Sequence, residues 1–175
     1  MCGIAGIFQT GLEADEVARR LTMMNDAMVH RGPDDAGMVG EDGAGLAMRR
    51  LAIIDVDGGR QPVANESATI SLVMNGEIYN YRELGARLRR EGHEIRSASD
   101  TEVAVHAFED SPDAFTNDLR GMFALAAWDR SDGSVTLAVD RLGIKPLYYL
   151  ADSERLVFAS SSVSKPLQQS WGSSR

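Results

Sequence analysis

Cysteine, histidine and long apolar runs are scarce in this sequence. Its single cysteine, Cys2, cannot form an internal disulfide, and its three histidines are scattered without the ligand spacing of a zinc site. The longest apolar stretch, residues 122–128, is far shorter than the roughly 20 residues that a membrane-spanning helix needs. Together with the lack of a signal-peptide pattern, these absences predict a cytoplasmic protein with no metal site and no membrane contact.

Positive charge is also in short supply. Lys and Arg total 18 against 26 Asp and Glu, which gives a formal net charge of −8. The only dense basic cluster, residues 87–90 with Arg82 before it, lies on one short amphipathic segment, whereas a phosphate backbone requires a clustered basic surface. Nucleic acid is therefore not an expected partner. The 175 residues, 43% of them hydrophobic, predict one well-buried core.

Apolar periodicity predicts a mixture of strands and helices. Helical spacing predicts a first helix over residues 13–28. A second helix is expected between Asn80, as its N-cap, and Gly92, where it stops. A third helix is expected to begin at Ser99, because Glu102 lies at the capping-box offset from it. A further short helix is expected at residues 113–119. Strands are predicted at residues 2–8, 45–54, 69–74, 122–129, 134–139, 147–150 and 156–159. Strands at both ends with helices grouped between them favour an α+β layered domain.

The amino-acid composition changes near the end of the sequence. Ser and Gln dominate residues 160–175, and apolar residues become sparse there. Such a composition is typical of a poorly ordered tail or linker. We therefore expect one domain over residues 1–160 and a tail or truncated linker over residues 161–175.

The position of Cys2 invites a specific chemistry. Removal of Met1 would make Cys2 the first residue, and its free α-amine, with a pKa of about 7.7–8.0, could then take the thiol proton. The resulting thiolate could attack an amide carbonyl, release ammonia and leave a thioester for water to cleave. The alternative is an inert cysteine on a core strand, which position alone would favour.

Seven ordered motifs decide between these interpretations. They are MCGIAGIF (residues 1–8), HRGPD (30–34), RRLAIID (49–55), NGEIYNY (75–81), SDTE (99–102), GMFA (121–124) and DRLGIKPLYY (140–149). In this order they closely resemble the N-terminal glutaminase domain of glutamine-hydrolysing asparagine synthetases, a class II glutamine amidotransferase of the N-terminal-nucleophile hydrolase type. The resemblance covers roughly residues 1–160. It implies a four-layer αββα fold, with two antiparallel sheets packed between helix layers.

The resemblance also implies which groups react. Cys2 matches the nucleophile and its free amine the base, while the side-chain amide of Asn75 and the backbone N–H of Gly76 match the oxyanion donors. A tetrahedral intermediate needs such donors aimed at its developing negative charge. Without the surrounding motifs, Asn75-Gly76 would be interpreted as a plain hairpin turn.

Free glutamine also presents a carboxylate and an ammonium, which call for a guanidinium and an acid. Arg50 and Asp100 match these family positions. Arg49 is the rival guanidinium, although alternation along a strand lets only one of the two point inward. For Asp100 the alternative is a helix-start acid without further function. The resemblance also implies a pocket lining of Leu51, Ile53, Ile54 and Glu77.

Three positions depart from the family pattern. Met48 stands where a histidine is common, Val139 where an arginine is usual and Ser161 where an acid is usual. The ATP-binding synthetase domain is also missing from the 175 residues. ATP and Mg²⁺ are therefore expected only in that domain or in a partner, and no cofactor is expected in this domain.

The expected reaction is hydrolysis of L-glutamine to glutamate and ammonia, with the ammonia supplied to an ATP-dependent synthetase that converts aspartate to asparagine. Two alternatives stay open. One is a catalytically impaired domain that only binds a synthetase, and the other is a glutaminase domain that serves a sugar-phosphate or purine-pathway acceptor. The oligomeric state is also open, with a homodimer as one candidate.

Overall fold

The structure, a computed structural model, describes residues 2–51 and 59–161. These residues form nine β-strands, three α-helices and one 3-10 turn. The strands are β1 (Gly3–Gln9), β2 (Asp35–Glu41), β3 (Ala44–Arg50), β4 (Val63–Ala64), β5 (Ile70–Ile78), β6 (Gly121–Asp129), β7 (Ser134–Val139), β8 (Tyr148–Ala151) and β9 (Arg155–Ala159). The helices are α1 (Ala14–Ala27), α2 (Tyr81–Glu91) and α3 (Asp100–Asp110), and the 3-10 turn is Phe115–Asn117.

Two antiparallel sheets form the centre of the domain. The first has the strand order β2-β3-β1-β9-β8, and the second has the order β4-β5-β6-β7. Strand β1 is central in the first sheet, because it pairs with β3 on one side and with β9 on the other. Cys2 directly precedes β1, so it sits at the start of a central strand.

Alternation of side chains along the strands divides the core into layers. The layer between the two sheets contains Ile4, Leu46, Val73, Ala124, Trp128 and Phe158. On the opposite face of the first sheet, Ile7 and Ala47 pack against α1. On the opposite face of the second sheet, Leu72 and Leu125 pack against α2 and α3. The predicted α+β fold, a four-layer αββα sandwich, is confirmed.

Several strand boundaries differ from the predictions. Strand β5 runs on through Asn75 and Gly76 to Ile78, so the hairpin-turn interpretation of that pair is wrong. Strand β3 ends at Arg50 rather than at residue 54, and residues 52–58 lie outside the described residues. The sequence does not predict β2 or β4, because β2 is largely exposed at a sheet edge and β4 has only two residues.

Helix α2 ends as predicted but begins differently. Gly92 follows its last turn with a left-handed φ of 113°, a conformation that favours glycine. Asn80 precedes the helix, yet its side chain does not cap it. Instead, Asn80 donates to the carbonyl of Asp118 at 2.9 Å and accepts from the N–H of Arg120 at 2.9 Å, which ties the helix start to a distant loop.

Helix α3 carries half of the predicted capping box. The Ser99 hydroxyl accepts from the N–H of Thr101 at 3.2 Å, as a capping residue does. Glu102 does not reach back to the Ser99 N–H; it accepts from the N–H of Ser97 at 2.6 Å instead. The helix predicted over residues 113–119 is the 3-10 turn Phe115–Asn117.

In the described part of the chain, every helix is too short or too polar to cross a membrane. The predicted tail, residues 161–175, lies outside the described residues except for Ser161. The domain boundary at residue 160 therefore stays a prediction.

Candidate active site

Seven of the predicted site residues converge on one cleft. The cleft has a volume of about 170 Å³ and lies where the end of β3 and the start of β1 meet β5 and the first turn of α3. Its lining includes Cys2, Arg50, Leu51, Asn75, Gly76, Glu77 and Asp100. The other two, Ile53 and Ile54, lie outside the described residues. The volume is below the roughly 300–1,000 Å³ of pockets for drug-sized ligands, and it suits a small metabolite.

Cys2 borders this cleft and is only half-buried. Its Sγ lies 3.8 Å from the carbonyl oxygen of Leu51. The strand behind it is anchored by Ser160, whose hydroxyl accepts from the N–H of Ile4 at 3.0 Å and whose own N–H donates to the carbonyl of Ile4 at 2.8 Å. The interpretation of Cys2 as an inert core cysteine does not fit this position, because its side chain borders open space.

The two neighbouring arginines of β3 point to opposite faces of the sheet. Arg49 lies on the α1 face, where it contacts the carboxylate of Asp26 at 2.7 Å and donates to the carbonyl of Asn25 at 3.1 Å. Arg50 is buried and lines the cleft. Only one of the two arginines faces the cleft, as alternation predicted, and it is Arg50; Arg49 holds the end of α1 against the sheet.

Asn75 presents a donor that lacks a partner. Its side chain is 1% exposed, and its Nδ2 makes no hydrogen bond with any described residue. An unsatisfied buried donor costs free energy, on the order of 1–3 kcal/mol. The amide lies on the cleft, so a ligand oxygen there would remove this cost.

The backbone N–H of Gly76 points to the edge of β5 that faces away from β6. Gly76 pairs with Phe123, whose N–H donates to Asp140 and whose carbonyl accepts from it, so both backbone groups of Phe123 point away from β5. Gly76 and Phe123 are thus a non-hydrogen-bonded pair, and the Gly76 N–H points away from β6 as well. A Cβ at residue 76 would lie 2.2 Å from the carbonyl oxygen of Met122, which accounts for the glycine.

Along this edge, the backbone N–H groups on either side of that of Gly76 donate hydrogen bonds to side chains. The Oε1 of Gln61 accepts from the N–H of Met74 at 2.6 Å, and the Oδ2 of Asp100 accepts from the N–H of Ile78 at 2.9 Å. Strand β4 pairs with β5 only at the earlier residues Leu72 and Ser71. The cleft consequently opens along the stretch of β5 that carries Asn75 and Gly76.

Asp100 and Glu77 make one side of the cleft acidic. Burial raises the pKa of Asp100, and the neighbouring charge of Glu77 raises it further, while N–H donors that include that of Ile78 oppose the shift. Asp100 is also the first residue of α3. The helix-start role and the position on the cleft therefore coexist. Two acids at one side of the cleft favour a cationic ligand group.

Sequence reasoning missed several residues of the cleft. Gln61 bridges two elements, because its Nε2 donates to the hydroxyl of Thr101 at 3.0 Å while its Oε1 holds the N–H of Met74. Lys145 belongs to the DRLGIKPLYY motif, which predicts only a fixed turn, yet it is buried and lines the cleft. The remaining lining residues are Gly59, Met74, Ser99, Thr101 and Met122.

The loop that carries Lys145 is organised by Asp140. This buried carboxylate accepts N–H groups from Phe123, Leu142, Ile144 and Lys145 at distances from 3.0 to 3.2 Å. Burial alone would raise the pKa of Asp140, but the four donors hold it below its ordinary value. The loop is thus built around an ionised carboxylate.

The departures from the family pattern lie away from the cleft. Met48 is buried in the layer between the sheets, where an apolar side chain fits. Val139 is exposed, and Ser161 is half-buried. Among the described residues that line the cleft, none is one of these three.

Comparisons with known proteins agree with this geometry. The profile of a family described as "Glutamine amidotransferase domain" matches residues 1–171. The chain is 43% identical over 162 residues to asparagine synthetase (glutamine-hydrolyzing) 2 of Bacillus subtilis, covering 91% of this chain and 21% of that protein. It is 36% identical over 163 residues to asparagine synthetase B (glutamine-hydrolyzing) of Escherichia coli, covering 93% of this chain and 29% of that protein. The chain thus spans less than a third of the length of these relatives.

A solved structure shares the fold. Glutamine phosphoribosylpyrophosphate amidotransferase from Bacillus subtilis, complexed with ADP and GMP, superposes with a TM-score of 0.69 at 23% identity. The superposition covers 91% of this chain and 42% of that one.

Proposed function

Because this chain belongs to the glutamine amidotransferase domain family, we propose that it hydrolyses the side-chain amide of L-glutamine, with the sulfur of Cys2 as nucleophile. One observation carries the proposal. Cys2, the unpartnered amide of Asn75, the buried Arg50 and the acid pair of Glu77 and Asp100 border a single small cleft. A nucleophile, an oxyanion donor and groups for both ends of a free amino acid are the parts that this reaction needs.

The first step forms a thioester. After removal of Met1, the α-amine of Cys2 takes the thiol proton, directly or through a water, and the thiolate attacks the amide carbon of glutamine. A C–S bond forms and the carbonyl oxygen becomes an oxyanion. The amine returns the proton to the leaving nitrogen, the C–N bond breaks, and ammonia departs. Water then attacks the thioester, which releases glutamate and regenerates the thiol.

Asn75 and Gly76 stabilise the oxyanion in both tetrahedral intermediates. The Asn75 Nδ2 has no competing partner among the described residues, and the Gly76 N–H points away from β6. Donors that are already in place need no reorganisation when the charge develops, and removing one such donor typically costs about 2.7–4 kcal/mol of barrier.

Recognition of the free amino acid falls to the charged groups of the cleft. Arg50 binds the α-carboxylate, for which a planar guanidinium offers two parallel hydrogen bonds. Asp100, with Glu77 beside it, binds the α-ammonium. The bound ammonium offsets the cost of keeping Asp100 ionised in a buried position. The backbone around Leu51 completes the lining, and Ile53 and Ile54 stay predicted lining residues.

The ammonia serves an ATP-dependent synthetase domain or subunit, with aspartate as the first candidate acceptor and asparagine as product. The 36–43% identity to asparagine synthetases supports this acceptor over a sugar-phosphate or purine-pathway one. Any ATP and Mg²⁺ would belong to that partner. The cytoplasmic location and the homodimer stay predictions.

An exposed apolar surface on the domain supports the presence of a partner. Leu142 is 84% exposed and Tyr149 is 71% exposed, and Ile144, Tyr148 and Leu150 of the same short segment are exposed as well. Several large exposed apolar side chains on one segment are consistent with a surface that another protein covers. An impaired domain that only binds a synthetase would also show this surface, but it would not need to keep an unpartnered Asn75 amide beside Cys2.

Glutamate release by the purified protein, compared with that of Cys2→Ala, tests the proposal. We expect glutamate and ammonia in equal amounts from the unaltered protein and neither from the variant. Mass spectrometry of the same samples shows whether Met1 has been removed, and only that form should be active. Equal rates for the two proteins would refute the role of Cys2.

A further inference from the structure

Two histidines and two glutamates from separate parts of the chain meet on the helical side of the second sheet. Glu66 lies between β4 and β5, His93 follows the end of α2, and His106 and Glu109 lie on α3. One nitrogen or oxygen atom of each side chain lies within 4.8 Å of those of the other three. His93 and His106 are separated in the sequence, but the fold brings the loop after α2 and helix α3 together and so places the two side chains in one cluster.

The geometry of this four-residue cluster matches that of metal ligands. The Nδ1 of His93 lies 3.3 Å from Oε1 of Glu66, the Nδ1 of His106 lies 3.3 Å from Oε2 of Glu66, and both nitrogens lie 3.7 Å from Oε2 of Glu109. Four ligands bonded tetrahedrally to Zn²⁺ at about 2.0–2.1 Å lie roughly 3.3 Å from one another. The histidine–glutamate separations are thus close to the edges of such a tetrahedron.

A buried side chain in the cluster lacks hydrogen bonds. His106 is 1% exposed, and neither of its ring nitrogens makes a hydrogen bond with any described residue. The Oε2 of Glu109, which faces both histidines, is likewise without a hydrogen-bond partner among these residues. Buried polar atoms of this kind call for a ligand. A cation between the Nδ1 of His106 and the Oε2 of Glu109 would satisfy these two atoms.

Surrounding groups orient the cluster for such a ligand. The Nε2 of His93 lies 2.9 Å from the carboxylate of Asp110, which favours the tautomer whose Nδ1 lone pair faces the cluster. The Nδ2 of Asn65 donates to Glu109 Oε1 at 2.8 Å and leaves Oε2 directed inward. Metal-binding histidines and carboxylates typically carry outer hydrogen bonds of this kind.

We propose that Glu66, His93, His106 and Glu109 bind one divalent transition-metal cation of the zinc type. Imidazole nitrogens combined with carboxylate oxygens suit zinc, cobalt or nickel, whereas magnesium and calcium prefer oxygen ligands alone. The Glu66 and Glu109 side chains are partly exposed, which gives the ion access from solvent. The role is structural: the ion joins the turn before β5, the loop after α2 and helix α3.

Calorimetric titration of metal-free, tag-free protein with Zn²⁺ tests this site. The Cys2→Ala protein is the parent, because a thiol with a neighbouring amine could itself bind zinc. We expect one Zn²⁺ per chain, and Co²⁺ should give the visible absorption of a tetrahedral site. His93→Gln and Glu66→Gln should each weaken binding by about tenfold or more, since even outer-sphere changes cost 10–100-fold. These two are preferred to a change at the buried His106, which risks the fold itself.

Matched controls remove the same residue types nearby. His30→Gln changes an exposed histidine outside the cluster, and Glu94→Gln changes an acid whose side chain pairs with Arg96. Both should bind Zn²⁺ like the parent, and Zn²⁺ should raise the melting temperature of both but not that of His93→Gln. Absence of saturable Zn²⁺ binding in the parent, or equal affinity in His93→Gln and His30→Gln, would overturn the proposal. The glutaminase assay with Cys2 intact is independent of either outcome.

Discussion

The carboxylate of Asp100 accepts a hydrogen bond from the N–H of Ile78 over 2.9 Å, and so joins the first turn of α3 to the end of β5. This contact fixes a buried acid at the cleft and occupies one amide of the β5 edge. Gly76 lies two residues earlier on that edge, and its N–H points to the same side because amides alternate along a strand. One contact thus helps to position both the acid that we propose binds the substrate ammonium and the β5 edge that we propose binds the oxyanion.

On acidification, glutamine binding should weaken at a higher pH than it would with an aspartate of ordinary pKa. Burial raises the pKa of Asp100 above its ordinary value of 3.8, and only the ionised carboxylate attracts the substrate ammonium. KM for glutamine should therefore rise as the pH falls through this raised pKa. Asp100→Asn should raise KM by about 10–150-fold, the equivalent of 1.5–3 kcal/mol for a charged hydrogen bond, and should remove the pH dependence. A pH profile of KM that is identical in both proteins would contradict this role.

Asn75→Ala should slow the reaction while leaving substrate affinity nearly unchanged. In the proposed mechanism the Asn75 amide bonds more strongly to the oxyanion than to the ground-state carbonyl, so its loss acts mainly on kcat rather than on KM. We expect kcat to fall by about 10²–10³-fold. Steady-state kinetics check this, and a loss expressed mainly in KM would place Asn75 in ground-state binding instead.

The arginine pair of β3 offers a matched comparison. Arg50→Lys keeps the charge but loses the planar fork, so KM for glutamine should rise by about tenfold or more. Arg49→Lys should leave KM unchanged, because Arg49 contacts Asp26 and Asn25 on the opposite face of the sheet. It should lower the free energy of unfolding by no more than about 1 kcal/mol, since the Asp26 side chain is largely exposed. Equal effects of the two changes on KM would contradict the assignment.

Asp140→Asn should destabilise the fold at neutral pH and much less in acid. The folded chain holds the pKa of Asp140 below its ordinary value of 3.8, so the ionised carboxylate contributes stability above pH 3.8 that is lost as the pH falls through the lowered pKa. An asparagine offers one acceptor oxygen for four N–H groups, and we expect a loss of about 1.5–3 kcal/mol at pH 7. Urea denaturation at pH 7 and at low pH measures the difference. Asp132→Asn, at an exposed turn, is the control and should change little.

The sequence predicted best what depends on short-range pattern and on the motifs. The family resemblance assigned Arg50, alternation along β3 predicted that Arg49 would point to the opposite face, and the glycine after α2 marked the end of that helix. Asn75-Gly76 was harder, because the same dipeptide suits a tight turn and only pairing with β6 keeps it in a strand. Side-chain contacts between distant segments left no local signal. Gln61 reaches Thr101 on another element, and no spacing rule connects the two.

Helix α3 connects the cleft to the proposed cation cluster, because Asp100 begins the helix at the cleft and His106 lies on it in the cluster. Six residues of helix rise about 9 Å, a short and stiff connection. Thermodynamic reciprocity then applies: whatever factor the cation imposes on the affinity for glutamine, glutamine must impose on the affinity for the cation. A zinc titration with and without saturating glutamine would measure that coupling directly. A factor of one would mean that the two sites bind their ligands independently, although one helix connects them.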